Sequence, residues 1–228
     1  MWNYFLNREQ LRKRALKNAT SEIMRDFLAA QVPPDTARWD DVEIVALDFE
    51  TTGLKPQIDQ ILSYGKVHIK DGVIKLSSAR HELIRPDKPI PEASAIIHHI
   101  TDDQAINGRP IAQVLPELLE YLSGKVMLVH YNKIEQGFLN AACEKHYGSP
   151  FMIPTIDTLV LARRILTHRN HTLPTNRLRL FNLQADFKLP RYKAHNALND
   201  AISTAELFLA LEALITPKDS TLLKDLIL

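Results

Sequence analysis

At 228 residues the chain has room for one sizeable domain, or for one domain with an extension. Its composition, 45% hydrophobic and 24% charged, excludes a largely disordered chain. A single cysteine, Cys143, excludes an internal disulfide or a cysteine-built zinc site, and no apolar run reaches membrane-span length. The N-terminus lacks the basic-then-apolar order of a signal peptide, so a cytoplasmic setting is expected. The net charge of +1 predicts no partner, but its distribution is uneven. Arg8, Arg12, Lys13, Arg14 and Lys17 face only Glu9 in the first twenty residues. A second basic stretch, 163–193, includes Arg177 and Arg179 and has Asp186 as its one acid. Such a stretch suits phosphate contact, the alternative being a solvated face.

In chain order, residues 1–31 read as helical with a break near Asn18–Ser21, where Thr20 or Ser21 can cap a second helix. Val32-Pro33-Pro34 ends it and opens a linker to about residue 41. Val42–Phe49 is apolar on both faces, the pattern of a central strand. Ile58–Ile69 and Val73–Ile84 read as two further strands joined at Asp71-Gly72, a strong hairpin signal. Thr101-Asp102-Asp103-Gln104 fits a capping box. Ile111 to Leu122 has the spacing of a packed helix. A strand at Lys125–His130 then leads to a helix ending near Tyr147. Thr155–Thr158 reads as a last strand, followed by helices at 159–166, 178–187 and 196–215 and a short C-terminal helix at 217–228. Hairpin-linked strands followed by strands alternating with helices predict an α/β fold, a mixed sheet flanked by helices and compatible with the ribonuclease-H-like architecture. The expected division is an N-terminal helical extension and linker at 1–40, a main domain at 41–216, and the C-terminal helix.

Three segments carry candidate chemistry. In Asp48-Phe49-Glu50-Thr51-Thr52-Gly53-Leu54 the two acids share one face of a strand, because side chains two apart point the same way. Paired carboxylates at the end of an apolar strand call for a cation, a proton or a basic partner, and hard divalent ions suit oxygen ligands. The alternative is a solvated pair where the strand frays. Thr51-Thr52-Gly53 offers backbone N–H groups to a phosphate or a terminal nucleotide, or is an ordinary turn. Second, His195 precedes Asp200 near the start of the last long helix, with Ala197 and Ala201 leaving room for a sheet. Third, Glu135 opens a helix beside Ile134, Phe138 and Leu139, where the helix dipole alone would favour an acid. Asp157 reads as a helix cap, Cys143 as a packed side chain, and His68, His81, His146, His168 and His171 show no ligand spacing.

In this order the three segments resemble the motifs of the DEDDh 3′→5′ exonucleases, in particular the family of the proofreading epsilon subunit of bacterial DNA polymerase III. The resemblance covers about 42–215, and Ala95-Ile96-Ile97-His98-His99-Ile100-Thr101 is similar to a segment between the first two motifs. It implies a ribonuclease-H-like fold and a metal-dependent 3′→5′ exonuclease, DNA favoured, acting on single-stranded DNA or a nucleic-acid 3′ end. It further implies two divalent ions, Mg²⁺ or Mn²⁺, held by Asp48, Glu50, Asp200 and Glu135, with His195 as general base. Thr51, Thr52, Leu54 and His98 would border the terminal nucleotide, and Arg177 and Arg179 would grip its backbone. Glu135 stands where the family has Asp, and His99 where it has Gly. Two alternatives stay open: an RNA 3′-end trimming enzyme on the same chemistry, and a catalytically weakened nucleic-acid-binding or adaptor protein. The N-terminal helices are candidates for docking on the nuclease or for a protein partner. Trp2, Tyr4, Phe5 and Leu6 beside the basic stretch could touch a membrane surface.

Overall fold

The computed structural model describes residues 8–169, 174–215 and 221–228, which leaves Trp2, Tyr4, Phe5, Leu6 and His171, and the side chain of His168, outside the described set. Two helices come first, α1 (Arg8–Asn18) and α2 (Glu22–Ala29), separated where the sequence breaks its apolar stripe. Arg12 fixes both to the rest of the protein. Its guanidinium donates to the carbonyls of Leu28 (3.0 Å), Phe27 (2.6 Å) and Ala30 (3.0 Å) at the end of α2, and to that of Met152 (2.9 Å). A helix leaves its last carbonyls without internal partners, so a residue read as part of a basic surface is a buried cap. Phe27 adds a stacked contact with Phe151, 5.3 Å between ring centroids.

After the linker come β1 (Ile44–Thr51), β2 (Ile61–Lys70) and β3 (Val73–Arg85), then helices α3 (Glu92–His98) and α4 (Asp102–Ala105). The capping box at Thr101 forms with both of its hydrogen bonds. The short strand β4 (Arg109–Pro110) precedes α5 (Ile111–Leu122), β5 (Val126–Val129), α6 (Glu135–Tyr147) and β6 (Thr155–Asp157). Helices α7 (Thr158–Arg169), α8 (Leu180–Asp186) and α9 (Ala197–Glu212) follow. The sheet order is β4-β3-β2-β1-β5-β6. β1 pairs antiparallel with β2 and parallel with β5, and β2 pairs antiparallel with β3. β1 is therefore central, which explains its apolar residues on both faces.

The two faces carry separate cores. Val45, Leu47 and Phe49 pack with α5, α6 and the N-terminal helices, whereas Ile44 and Ala46 pack with α7 and α9. The expected α/β mixed sheet flanked by helices is thus present. Helix α3 falls in a helical block for which the sequence gives a motif and no helix bounds. One local expectation differs. At 217–228, the described residues form a single 3₁₀ turn, Leu223–Asp225, in place of a helix. Backbone groups there bond outward: Leu223 to Ala37, Lys224 to Asp35, and Leu228 to Thr155 on β6. Among the described residues no helix is long and apolar enough to cross a membrane.

Candidate active site

Asp48 and Glu50 leave the end of β1 on the face that carries α9, as the two-residue period requires. Asp200 reaches them from the first turn of α9, which Asn196 caps by accepting the Asn199 N–H at 3.1 Å. One oxygen from each of the three carboxylates lies within 4.8 Å of the others. Two features bring α9 so close. Ala197 and Ala201 are fully buried at its start, and Gly65 on β2, the cross-strand partner of Asp48, lies directly beneath Ala197. Asp200 is also tied to its neighbour in motif three, since its Oδ2 accepts the backbone N–H of His195 at 3.0 Å.

The cluster is poorly hydrated and self-repelling. Burial raises the Asp48 carboxyl well above its ordinary range, and the charges of Glu135, Asp200 and Glu50 raise it further. Asp200 is pushed up to about 7, first by burial and then by Glu50, with the His195 N–H acting in the opposite direction. Glu135, 2% exposed at the start of α6, is pushed up to about 8 by burial, although backbone N–H groups, its own and that of Phe49, favour its charge. Glu50 Oε1 and Glu135 Oε2 are buried with no hydrogen-bond partner among the described residues. Orphaned carboxylate oxygens next to like charges are what a hard divalent cation satisfies. Asp48, Glu50 and Asp200 form the close set. Glu135 lies outside it, electrostatically coupled to Asp48 and Glu50.

Two imidazoles complete the site. His98, at the end of α3, places Nδ1 against Glu50 Oε2, and its ring meets that of His195 edge-on with centroids 5.9 Å apart. A nitrogen of each also lies within 4.8 Å of a Glu50 oxygen and of the other. His195 is exposed and has a left-handed backbone, φ 60°. His81 on β3, not expected at the site, feels the Glu50 charge, though burial lowers its pKa. His99 is exposed and occupies the left-handed position that ends α3, φ 55° and ψ 32°. A glycine suits that position, so the residue differs from the family pattern at a helix end.

The loop after β1 is held by a residue that the sequence reading missed. Asp59 accepts the Lys55 N–H at 2.8 Å and the Thr52 hydroxyl at 3.4 Å, and a Cβ on Gly53 would stand 2.5 Å from its carboxylate. Gly53 therefore makes room for Asp59. The Thr51 hydroxyl donates to the Gly53 carbonyl at 2.7 Å, and the Thr52 hydroxyl also accepts the Gln60 N–H at 2.9 Å. Both threonine side chains are occupied within the loop, and Leu54 projects from it, 75% exposed. Asp157 behaves as a cap: it accepts the N–H groups of Leu159, Tyr131 and Asn132, which also fixes the chain leading to Glu135. Arg177 is ion-paired to Asp186 at 2.8 Å, while Arg179 is exposed just before α8. Cys143 is buried and its thiol is pushed up to about 12, an inert packed side chain.

Comparison with known proteins gives the family. Residues 45–208 match the exonuclease (RNase T) family. DNA polymerase III subunit epsilon of Treponema pallidum is 33% identical over 168 residues, 73% of this chain and 75% of the relative. The PolC-type DNA polymerase III of Thermotoga petrophila is 36% identical over 171 residues, but this chain spans only 12% of that relative's length. Among solved structures, Exonuclease X in complex with 5′ overhanging duplex DNA aligns at TM-score 0.61 with 24% identity, over 80% of this chain and 98% of that one. The nuclease domain of 3′hExo, a DEDDh family member bound to rAMP, aligns at TM-score 0.64 with 18% identity, over 78% and 94%. The chain belongs to the exonuclease family. It is an enzyme of the nuclease class with the ribonuclease-H-like fold.

Proposed function

We propose that the chain hydrolyses the terminal phosphodiester at nucleic-acid 3′ ends, with DNA as the preferred substrate. The observation that carries this reading is the convergence of Asp48, Glu50 and Asp200 beside two imidazoles. It is supported by relatives named as DNA polymerase III subunits and by a neighbour bound to duplex DNA. Asp48, Glu50 and Asp200, with Glu135 behind them, would hold two divalent ions, Mg²⁺ or Mn²⁺, which supply positive charge to the phosphate as it reacts.

The chain's own groups do the rest. His195, at the exposed edge of the cluster, accepts the proton of the attacking water. His98 sets its Nδ1 against Glu50 beside His195. Leu54 offers an apolar surface to the terminal base, whereas the Thr52 N–H, expected to face a phosphate, is already given to the Gln60 carbonyl at 2.9 Å. Arg179 is available to a more distant phosphate, and such contacts give affinity without sequence choice. Glu135 is one methylene longer than aspartate, and its charge reaches Asp48 from the start of α6.

The test compares single-stranded DNA, duplex DNA and RNA, each labelled at the 5′ or the 3′ end, with Mg²⁺, Mn²⁺ or chelator. Stepwise shortening of 5′-labelled DNA from the 3′ end, abolished by chelator, is expected. Faster loss of RNA would move the substrate to RNA, and shortening that persists in chelator would refute the proposal.

A further inference from the structure

The sheet face opposite the acids carries a second polar cluster that the proposed hydrolysis does not use. Lys66 on β2 is cross-strand partner to Leu47 and Arg80, and so points away from Asp48. It is 7% exposed. The β2–β3 ladder slips register between Lys66 and His68, and Ser78 bridges the irregularity by accepting the His68 N–H at 2.9 Å and donating to the Lys75 carbonyl at 2.6 Å. Such a bulge re-aims the side chains beside it. Here they gather around Tyr121, in the last turn of α5. The His68 ring lies 4.6 Å from the Tyr121 ring, and the Lys66 ammonium sits over its face. Lys125 Nζ is 5.6 Å from the ring centroid and donates to the Tyr121 carbonyl at 2.7 Å.

The cluster is rich in donors and poor in acceptors. Among the described residues, none of Lys66, Arg80 and Lys125 has a carboxylate ion-pair partner. The two nearby acids are engaged elsewhere: Glu43 by Lys70 at 2.7 Å, and Glu82 by the Tyr64 hydroxyl at 2.9 Å and Arg109 at 3.2 Å. His68 Nε2 is buried without a hydrogen-bond partner among the described residues, and the Tyr121 hydroxyl is buried with only the Ser78 hydroxyl near it. Burial and the charges of Arg80 and Lys125 push Lys66 down to about 7. An enclosed ammonium is costly unless it is paired. Three basic side chains that feel one another's charge, beside an unpartnered imidazole nitrogen, ask for an anion with several acceptor oxygens and more than one negative charge.

We propose that Lys66, His68, Arg80, Tyr121 and Lys125 form a binding site for a phosphate-class oxyanion, on the face of the sheet away from the acids. The ammonium, the guanidinium fork, the phenol and the imidazole N–H supply the donors, and the ligand removes the mutual repulsion of the three cations. The same chemistry is offered by inorganic phosphate and by the phosphomonoester end of a nucleotide.

The test uses the full chain in chelator, so that nothing is held at the carboxylate cluster through a divalent ion. Thermal unfolding and titration calorimetry are run with inorganic phosphate against sodium chloride of equal ionic strength, and in a second arm with deoxyadenosine 5′-monophosphate. Phosphate is expected to raise the melting temperature above the chloride control, and Lys66→Met is expected to weaken binding at least tenfold. Loss of both ligands in that variant assigns the site to phosphomonoesters as well, and binding of inorganic phosphate alone assigns it to the free ion. No stabilisation over chloride, or undiminished binding by Lys66→Met, overturns the proposal. Should Lys66→Met fail to fold, the exposed Arg80→Gln serves instead, and undiminished phosphate affinity in it is equally decisive.

Discussion

The backbone of Ala197 rests on Gly65. A Cβ at position 65 would stand 2.1 Å from the Ala197 carbonyl carbon and 2.1 Å from the Leu198 nitrogen. Gly65 is also the residue opposite Asp48 in the β1–β2 ladder, so this contact sets how near Asp200 comes to Asp48. The obstruction is backbone, which cannot swing aside as a side chain can. Gly65→Ala is expected to destabilise the protein by about 3 kcal/mol and to lower turnover further than the unfolded fraction explains, because α9 lifts from the sheet. Urea denaturation together with nuclease assays below the transition tests this, and wild-type values in both would show that α9 owes its position to something else.

The carboxylate cluster makes the stability of the divalent-free protein depend on pH. Folding raises Asp200 to about 7 and Glu135 to about 8, and raises Asp48 as well. The folded state thus keeps protons that the unfolded chain has released, and the stability tied to those protons is full below the ordinary carboxylate range and lost as pH rises through 7 to 8. In chelator the melting temperature is expected to fall between pH 6.5 and 8.5. Mg²⁺ should reduce that fall, and Glu135→Gln should raise the melting temperature at pH 8.5. A flat profile in chelator would mean that the acids are not crowded in solution.

On the acid side the sign reverses, through His130. Its Nε2 faces the Leu178 carbonyl at 3.0 Å and its Nδ1 the Thr158 hydroxyl at 2.8 Å, and burial lowers its pKa to about 4. The neutral ring is favoured in the fold, so its contribution is complete above the ordinary histidine value of about 6.5 and is lost as pH falls toward 4. His130→Gln is expected to be less stable than wild type at pH 7.5, with the difference shrinking toward pH 4.5. Melting curves of the two proteins across that range check this, and a constant difference would place the ring in contact with water.

Where the chemistry is local, the sequence discloses it. The two-residue period puts Asp48 and Glu50 on one face, Asp71-Gly72 joins β2 to β3, and Thr101 with Gln104 makes its capping box. Asp157 is a cap and Cys143 a packed thiol, both as their surroundings in the chain imply. What stays hidden depends on contacts between distant segments. Arg12 reads as one of five basic residues on a helix, until four carbonyls from α2 and the 152 loop are found around it. Gly65 is an unremarked residue in an apolar strand until α9 is laid over it. Asp59 looks like loop polarity until Lys55 and Thr52 fold back on it. Lys66 alternates correctly for a strand, and only the register slip and Tyr121 reveal its enclosure.

The two imidazoles have different neighbours and are expected to fail differently. His98 is braced on Glu50, whereas His195 is exposed and bound to Asp200 only through its backbone N–H. Removing the His195 ring leaves that N–H in place. His195→Ala is therefore expected to retain Mn²⁺ binding, read by calorimetry, while turnover falls by about 10²–10⁴-fold, the usual contribution of a general base. His98→Ala is expected to alter Mn²⁺ affinity as well, because Glu50 loses its neighbour. Equal turnover of His195→Ala and wild type on a labelled oligonucleotide would remove His195 from the reaction.

The two arginines named in the basic stretch are expected to part company in the salt dependence of nucleic-acid binding. Arg177 already spends its charge on Asp186 at 2.8 Å, and a paired guanidinium has little left for a phosphate. Arg179 is exposed at the start of α8. Each phosphate neutralised releases about one counterion, which appears in the slope of log affinity against log salt. Arg179→Gln should therefore reduce the magnitude of that slope by roughly 0.7 for a single strand. Arg177→Gln should leave it near the wild-type value. Binding of a single-stranded oligonucleotide between low and moderate salt, in chelator to prevent hydrolysis, measures both. A reduced slope in Arg177→Gln with none in Arg179→Gln would mean that the strand runs beside the Arg177–Asp186 pair and opens it, so that the substrate path follows the loop before α8 instead of its first turn.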